Sequence, residues 1–269
     1  MGDKHGGRND INTSVGKSVS MTRTPAVAGY ADAVVLAAGG SARMNGFDKV
    51  QSPILGRPLV AWTVTAAAAA SSVRKVILVV RPGQEAAMER EPWVRAVGAL
   101  VVSGGERRQE SVAAGVDACD AEIVIIHDGA RPLATPALID AVANAAQKSG
   151  IAVPLVPHTE SLRRLRKDSI VDWMDRYGLN LAQTPQAMRR QLLLDAYAAH
   201  DPWGSEGTID ETLLVQMAGA TVTAVPGERA NIKVTVPADI EIITAILKSR
   251  ARLGTDATSP VATAGSTKR

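Results

Sequence analysis

Five short, unbroken apolar runs, Val34–Ala37, Val76–Val80, Ala99–Val102, Ile123–Ile126 and Ala152–Val156, limit what this chain can become. A strand buried on one face alternates apolar with polar residues, whereas a strand covered on both faces reads as a continuous run. Helical stretches lie between the runs. Leu59–Ser71 is alanine-rich behind Pro58, Gln109–Ala118 follows a Gly-Gly turn, Pro136–Ser149 starts behind Thr135, and Pro237 opens a last helix reaching about Leu253. Proline at the first helical position with a hydroxyl cap before it is a start signal. The pattern predicts an α/β fold, a doubly wound, mostly parallel, Rossmann-like sheet, with ligands outside the carboxyl ends of the strands.

Polar motifs fall at four of those ends: Gly39 to Lys49, Gly104 to Ser111, His127 to Arg131, and Asn231 to Lys233. The first follows Ala37 and holds Ala38, Gly39, Gly40 and Ser41, then Arg43 and Lys49. Residues with so little bulk let their backbone N–H groups approach an anion, and two cations nearby supply charge, so the loop suits a polyphosphate. The plainer alternative is a tight strand-to-helix turn with two solvated cations. The loop has neither the Walker lysine pattern nor G-x-G-x-x-G.

Composition narrows the function. In 269 residues, 46% are hydrophobic and 21% charged, which allows a substantial core in a globular chain. A net charge of +3, dispersed among acids, with 3% aromatic residues gives no nucleic-acid footprint. The single cysteine, Cys119, cannot close an internal disulfide and reads as a buried apolar residue; with no run near membrane-span length, a cytoplasmic location is expected. Residues 1–28 read as a disordered leader without a signal-peptide core, or as an upstream start ahead of Met21, residues 254–269 as a similar tail, and residues 29–253 as the working domain.

The segment from Pro157 to Arg176 alternates apolar and charged residues around Lys167-Asp168, which predicts a projecting β-hairpin. A two-stranded hairpin is marginal alone, so this one is expected to embrace a second copy of the chain as a dimerisation arm.

Six motifs in order, LAAGGSARM, Asp48-Lys49, GGERRQESV, HDGARP, QTPQ and NIKVT, resemble the 2-C-methyl-D-erythritol 4-phosphate cytidylyltransferases between about Asp32 and Leu253. The resemblance implies transfer of a cytidylyl group from CTP to a sugar-alcohol phosphate, with Mg²⁺, in a homodimer whose sites borrow residues from the neighbour's arm. By the same resemblance Ala37, Ala38, Gly39, Gly40, Gly105, Ser111, Asp128 and Gly129 surround the nucleotide, with Gly105 and Ser111 against cytosine and ribose. Arg43 and Lys49 hold the triphosphate, Asp128 binds the metal, and Lys233 lies between the α-phosphate and the attacking phosphate. Ser161 and Arg176 reach the acceptor, and Arg131 either reaches it as well or braces its own loop. His127 is expected to pack or to support a neighbouring site residue rather than to act as a ligand. One of the adjacent Arg107 and Arg108 should face solvent, leaving Arg108 for a structural or nucleotide-adjacent role.

Three departures bear on the acceptor and the loop: Glu160-Ser161 replaces an Asp-Thr pair, Ile209 stands where a threonine is usual unless a one-residue shift gives that place to Thr208, and Ser41 replaces a common glycine. Two other readings follow, a cytidylyltransferase for another alditol phosphate such as ribitol 5-phosphate, or a nucleotide-binding regulatory protein without turnover. Retention of Arg43, Lys49, Asp128 and Lys233 argues against the latter.

Overall fold

The computed structural model describes residues 2, 29–39, 48–204 and 210–254. The anticipated leader and nearly all of the tail lie outside the described residues, as do Gly40, Ser41, Arg43, Thr208 and Ile209. Among the described residues the strands are β1 (Ala31–Leu36), β2 (Pro53–Ile54), β3 (Arg57–Pro58), β4 (Val73–Val80), β5 (Leu100–Ser103), β6 (Ile123–Asp128), β7 (Ile151–Pro157), β8 (Leu162–Arg166), β9 (Ser169–Met174), β10 (Asn180–Ala182), β11 (Gln186–Arg189) and β12 (Thr223–Pro226). The helices are α1 (Leu59–Ala69), α2 (Glu85–Glu89), α3 (Pro92–Val97), α4 (Arg108–Asp117), α5 (Pro136–Ser149), α6 (Arg190–Ala199), α7 (Glu211–Met217) and α8 (Pro237–Arg252).

Eight strands form the main sheet in the order β10-β7-β11-β6-β1-β4-β5, with β12 also paired to β7. β1 is parallel to β4 and to β6, and β4 is parallel to β5. β12 runs parallel to β7, while β10 and β11 run antiparallel to their neighbours. The sheet is therefore mostly parallel, as the apolar runs imply, and all five anticipated strands are present with ends shifted by a few residues. The two antiparallel strands were not anticipated. β11 fills the space between β6 and β7, where Gln186 pairs with Ile126 and Arg189 with Ile123.

Alternation along the strands divides the core. Ala33, Val35, Ile123 and Ile125 face one cluster with Val64 of α1, Val142 of α5 and Ile243 of α8. Val34, Val124 and Ile126 face the other with Val112 and Val116 of α4, Leu193 of α6 and Val215 of α7. Successive strand residues point to opposite faces. Asp128 therefore follows Val124 and Ile126 toward α4 and α7, while His127 turns to the opposite side. Gly115 lets α4 lie close on the sheet, since a Cβ there would sit 2.3 Å from a Val34 methyl.

Helix starts follow the expected chemistry. Thr135 Oγ1 accepts from Leu138 N at 3.1 Å with Pro136 at the first helical position of α5. Asp239 accepts from Val236 N at 2.9 Å at the start of α8.

From β1 the chain moves outward to β4 and β5, then returns to the other side of β1 as β6. The order of the strands reverses there, between β1 and β6. Beyond this point, where Leu36 pairs with Asp128 in register, a parallel sheet opens a crevice at its carboxyl edge.

Candidate active site

A cavity of about 310 Å³ occupies that crevice. Ala38, Gly39, Lys49, Gly105, Ser111, Asp128, Gly129 and Lys233 all line it, with Arg107 and Arg108 beside them. A Cβ on Gly39 would meet none of the described residues within 4 Å. Gly129 is held close: its N–H donates to Leu36 O at 2.9 Å, and a Cβ would lie 2.6 Å from that oxygen. Ala37 does not line the cavity, and its N–H donates to Val79 O at 2.7 Å.

The loop before α4 closes on itself through Ser111. Gly105 N donates to Ser111 Oγ at 3.2 Å, and the same hydroxyl lies 3.2 Å from Arg107 O. Both adjacent arginines are held, which corrects the expectation that one faces solvent. Arg107 pairs with Glu110 and donates to Pro202 O at 3.4 Å and to Gly204 O. Arg108 pairs with Glu211 at 2.5 Å. Two carboxylates that were not assigned roles decide these orientations.

Asp128 is the centre of charge. Its carboxylate lies 2.7 Å from Lys233 Nζ, 3.5 Å from Arg131 Nε and 3.7 Å from Arg108 Nε. Burial alone would raise its pKa, but Lys233, Arg108 and Arg131 outweigh burial and hold the carboxyl well below the usual range. Burial likewise opposes the charge on Arg108, yet Glu211, Asp128 and Asp210 push its pKa up. Glu211, 1% exposed, is displaced upward by its own burial. His127 is buried, its Nδ1 2.9 Å from Thr184 Oγ1, and burial pushes its pKa down to about 3. It is a neutral packing residue, as expected.

A second cavity, about 320 Å³, adjoins the first and shares Arg108, Asp128 and Lys233 with it; Arg131, Gln183, Thr184, Gln186 and Asp210 add to its lining. A third, about 370 Å³, is lined by Arg131, Arg229 and Lys233 together with Thr159, Gln183 and Asn231, with no carboxylate in its lining. Ser161 and Arg176 line none of these cavities within one chain. Both are exposed on the hairpin segment, where Arg176 Nη1 donates to Thr159 O.

The family model for IspD, 2-C-methyl-D-erythritol 4-phosphate cytidylyltransferase, matches residues 31–249. The chain belongs to this family. It is 38% identical over 211 residues to the 2-C-methyl-D-erythritol 4-phosphate cytidylyltransferase of Cereibacter sphaeroides, covering 77% of this chain and 92% of that one. It is also 38% identical over 224 residues to the bifunctional enzyme IspD/IspF of Anaeromyxobacter dehalogenans, covering 82% of this chain. The matched region is 58% of that bifunctional relative's length. Among solved structures, that of 2-C-methyl-D-erythritol 4-phosphate cytidylyltransferase from Thermus thermophilus superposes with a TM-score of 0.67 at 32% identity, over 80% of this chain and 98% of that one.

IspD-family membership raises the question of a divalent metal. Among the described residues no group of three His, Cys, Asp or Glu could hold an ion without help. Asp128 supplies one carboxylate at the cavity wall. A single carboxylate fits Mg²⁺ only where substrate phosphates and water complete the coordination. The residues present fit that arrangement.

Proposed function

We propose that this chain transfers the cytidylyl group of CTP to 2-C-methyl-D-erythritol 4-phosphate, giving 4-diphosphocytidyl-2-C-methyl-D-erythritol and pyrophosphate. The observation that carries the reading is the wall between the first two cavities, where Asp128, Lys233 and Arg108 face both sides. A reaction joining two polyanions needs cations at the junction. The relatives' named activity supports the same choice of substrates.

The nucleotide lies in the first cavity, its phosphates against the backbone of Ala38, Gly39, Gly40 and Gly129 and its base and ribose against Gly105 and Ser111. A phosphate oxygen of the acceptor, already ionised at neutral pH, attacks the α-phosphorus, and the bond to the pyrophosphate oxygen breaks. No proton need leave the attacking group, so no protein base is required. Lys49 and Arg43 stabilise the departing pyrophosphate, and Lys233 neutralises charge shared by the α-phosphate and the incoming phosphate. Arg131 orients the acceptor from the second cavity. Asp128 would hold Mg²⁺ together with the substrate phosphates, and the ion, when bound, would supply further charge neutralisation.

The same reading makes the hairpin a dimer arm that brings Ser161 and Arg176 to the partner's acceptor. Among the described residues of one chain, β8 and β9 pair only with each other. Leu165, Ile170, Trp173 and Tyr177 are between 62% and 91% exposed, an apolar surface suited to covering by a second copy. No helix among the described residues is long and apolar enough to cross a membrane, which is compatible with the cytoplasmic location we assign.

Pyrophosphate release from CTP, measured across a panel of alditol phosphates with and without EDTA, tests the proposal. Release should require the methylerythritol phosphate and stop on chelation. Turnover only with ribitol 5-phosphate would overturn the acceptor, and undiminished turnover in excess EDTA would overturn the metal.

A further inference from the structure

Lys233 sits between β12 and α8, in a stretch that forms neither strand nor helix. Its side chain is 36% exposed and meets Asp128 through a flexible four-carbon stem. Such a group is precise only if its backbone is fixed by something else. Two buried amides do this. Gln183, 6% exposed, donates from Nε2 to Glu228 O at 2.9 Å, and its Oε1 accepts from Glu228 N at 3.2 Å. Asn231, 0% exposed, donates from Nδ2 to Thr184 O at 2.8 Å and lies 3.4 Å from Gln183 Oε1. The Asn231 carbonyl accepts from Arg131 Nη1 at 2.8 Å, and Val234 N donates to Ala130 O at 2.9 Å. The residues on both sides of Lys233 are thus tied to the segments that carry Asp128 and Arg131. Thr184 makes the frame common to both, because its Oγ1 accepts from Asp128 N at 3.0 Å.

We infer that Gln183 and Asn231 are positioning residues for the transfer step, acting through Lys233 by clamping its loop to the Gln183-Thr184 segment. This rests on the role given to Lys233 above. Neither amide needs to touch the reacting atoms. Their effect on rate should pass entirely through the lysine they hold.

A double-mutant cycle tests this. Pyrophosphate release at saturating substrates is compared for the parent, Asn231→Ala, Lys233→Ala and the double variant, with thermal midpoints recorded for each. Asn231→Ala should lower kcat by about tenfold or more while the CTP KM changes by less than about twofold. In the Lys233→Ala background the same change should cost less than about twofold, because the group it positions is gone. Equal losses in both backgrounds would overturn the clamp, as would a lowered thermal midpoint with parental kcat per folded enzyme. Should Asn231→Ala fail to fold, Gln183→Ala enters the same cycle from the opposite side of the clamp, with the same outcomes deciding. Parental activity in Lys233→Ala alone would overturn the role of Lys233 and the clamp with it, whereas additive losses overturn only the clamp.

Discussion

His127 and Asp128 are neighbours in sequence and opposites in electrostatics. The pleat sends one side chain to each face of β6, so the carboxylate meets three cations while the imidazole meets the hydroxyl of Thr184. Burial keeps His127 neutral, its pKa down to about 3, whereas in the unfolded chain an imidazole takes up a proton near pH 6.5. The unfolded state therefore binds more protons between those values, and stability falls as pH drops through about 6.5 and continues to fall toward about 3. Between pH 7 and pH 5 the loss from this one group should be about 2 kcal/mol. Urea unfolding of the parent and of His127→Asn at both pH values checks it. The parent should lose about 2 kcal/mol more than the variant over that interval. Equal losses would mean that His127 is charged or solvated in the folded protein.

At the scale of elements, the two ends of β1 are specialised differently. Its carboxyl end opens into the cavity, and its amino end is fastened by Asp32. That carboxylate, 0% exposed, accepts from Asp120 N and Ala121 N at 2.9 Å each and from Arg74 Nε at 3.0 Å. Asp32→Ala leaves two backbone donors without their acceptor and should cost about 2–4 kcal/mol of stability. Because the site lies at the other end of the sheet, kcat at a temperature where the variant is folded should match the parent. A stability loss below about 0.5 kcal/mol in denaturant titration would contradict the fastening role.

The contrast between β6 and β11 shows what could be read from the sequence. Ile123–Ile126 writes its burial on both faces as an unbroken apolar run. Gln186–Arg189 is buried through most of its length without such a run, since its strand state comes from pairing with β6 and β7. The site divides along the same line. Gly39, Lys49, Asp128 and Lys233 lie at or beyond strand ends, where polar residues break an apolar pattern. Glu211 is legible only as an acid at a helix start, because its burial is decided by Arg108, a partner 103 residues earlier. Gln183 and Asn231 stood out as motif letters, but their mutual clamp depends on segments that only the folded sheet brings together.

On the scale of the whole molecule, the topology sets a division of labour. On the function proposed above, the first half of the sheet and α4 would build the nucleotide side, and the later strands with the loop before α8 the acceptor side. Lys233 and Asp128 stand where the halves meet. The hairpin presents an exposed apolar face, and Ser161 and Arg176 line none of its own chain's three cavities, although Arg176 donates to the carbonyl of Thr159, which lines the third. If these two residues complete the partner's acceptor site, each active site is built from two chains, and defects on different chains should complement. Arg176→Ala and Lys233→Ala homodimers should both be impaired, the first with the acceptor KM raised more than the CTP KM, because a charge-assisted phosphate contact is lost. After subunit exchange, a heterodimer holds one site with both lesions and one with neither. Random exchange makes about half the dimers mixed, so activity should return to roughly a quarter of the parental value. A site built within one chain predicts no recovery, since every site would keep one lesion. Mass measurement of the mixed dimers establishes that exchange has occurred, and continued inactivity after it would defeat the borrowed arm while leaving the nucleotide side intact.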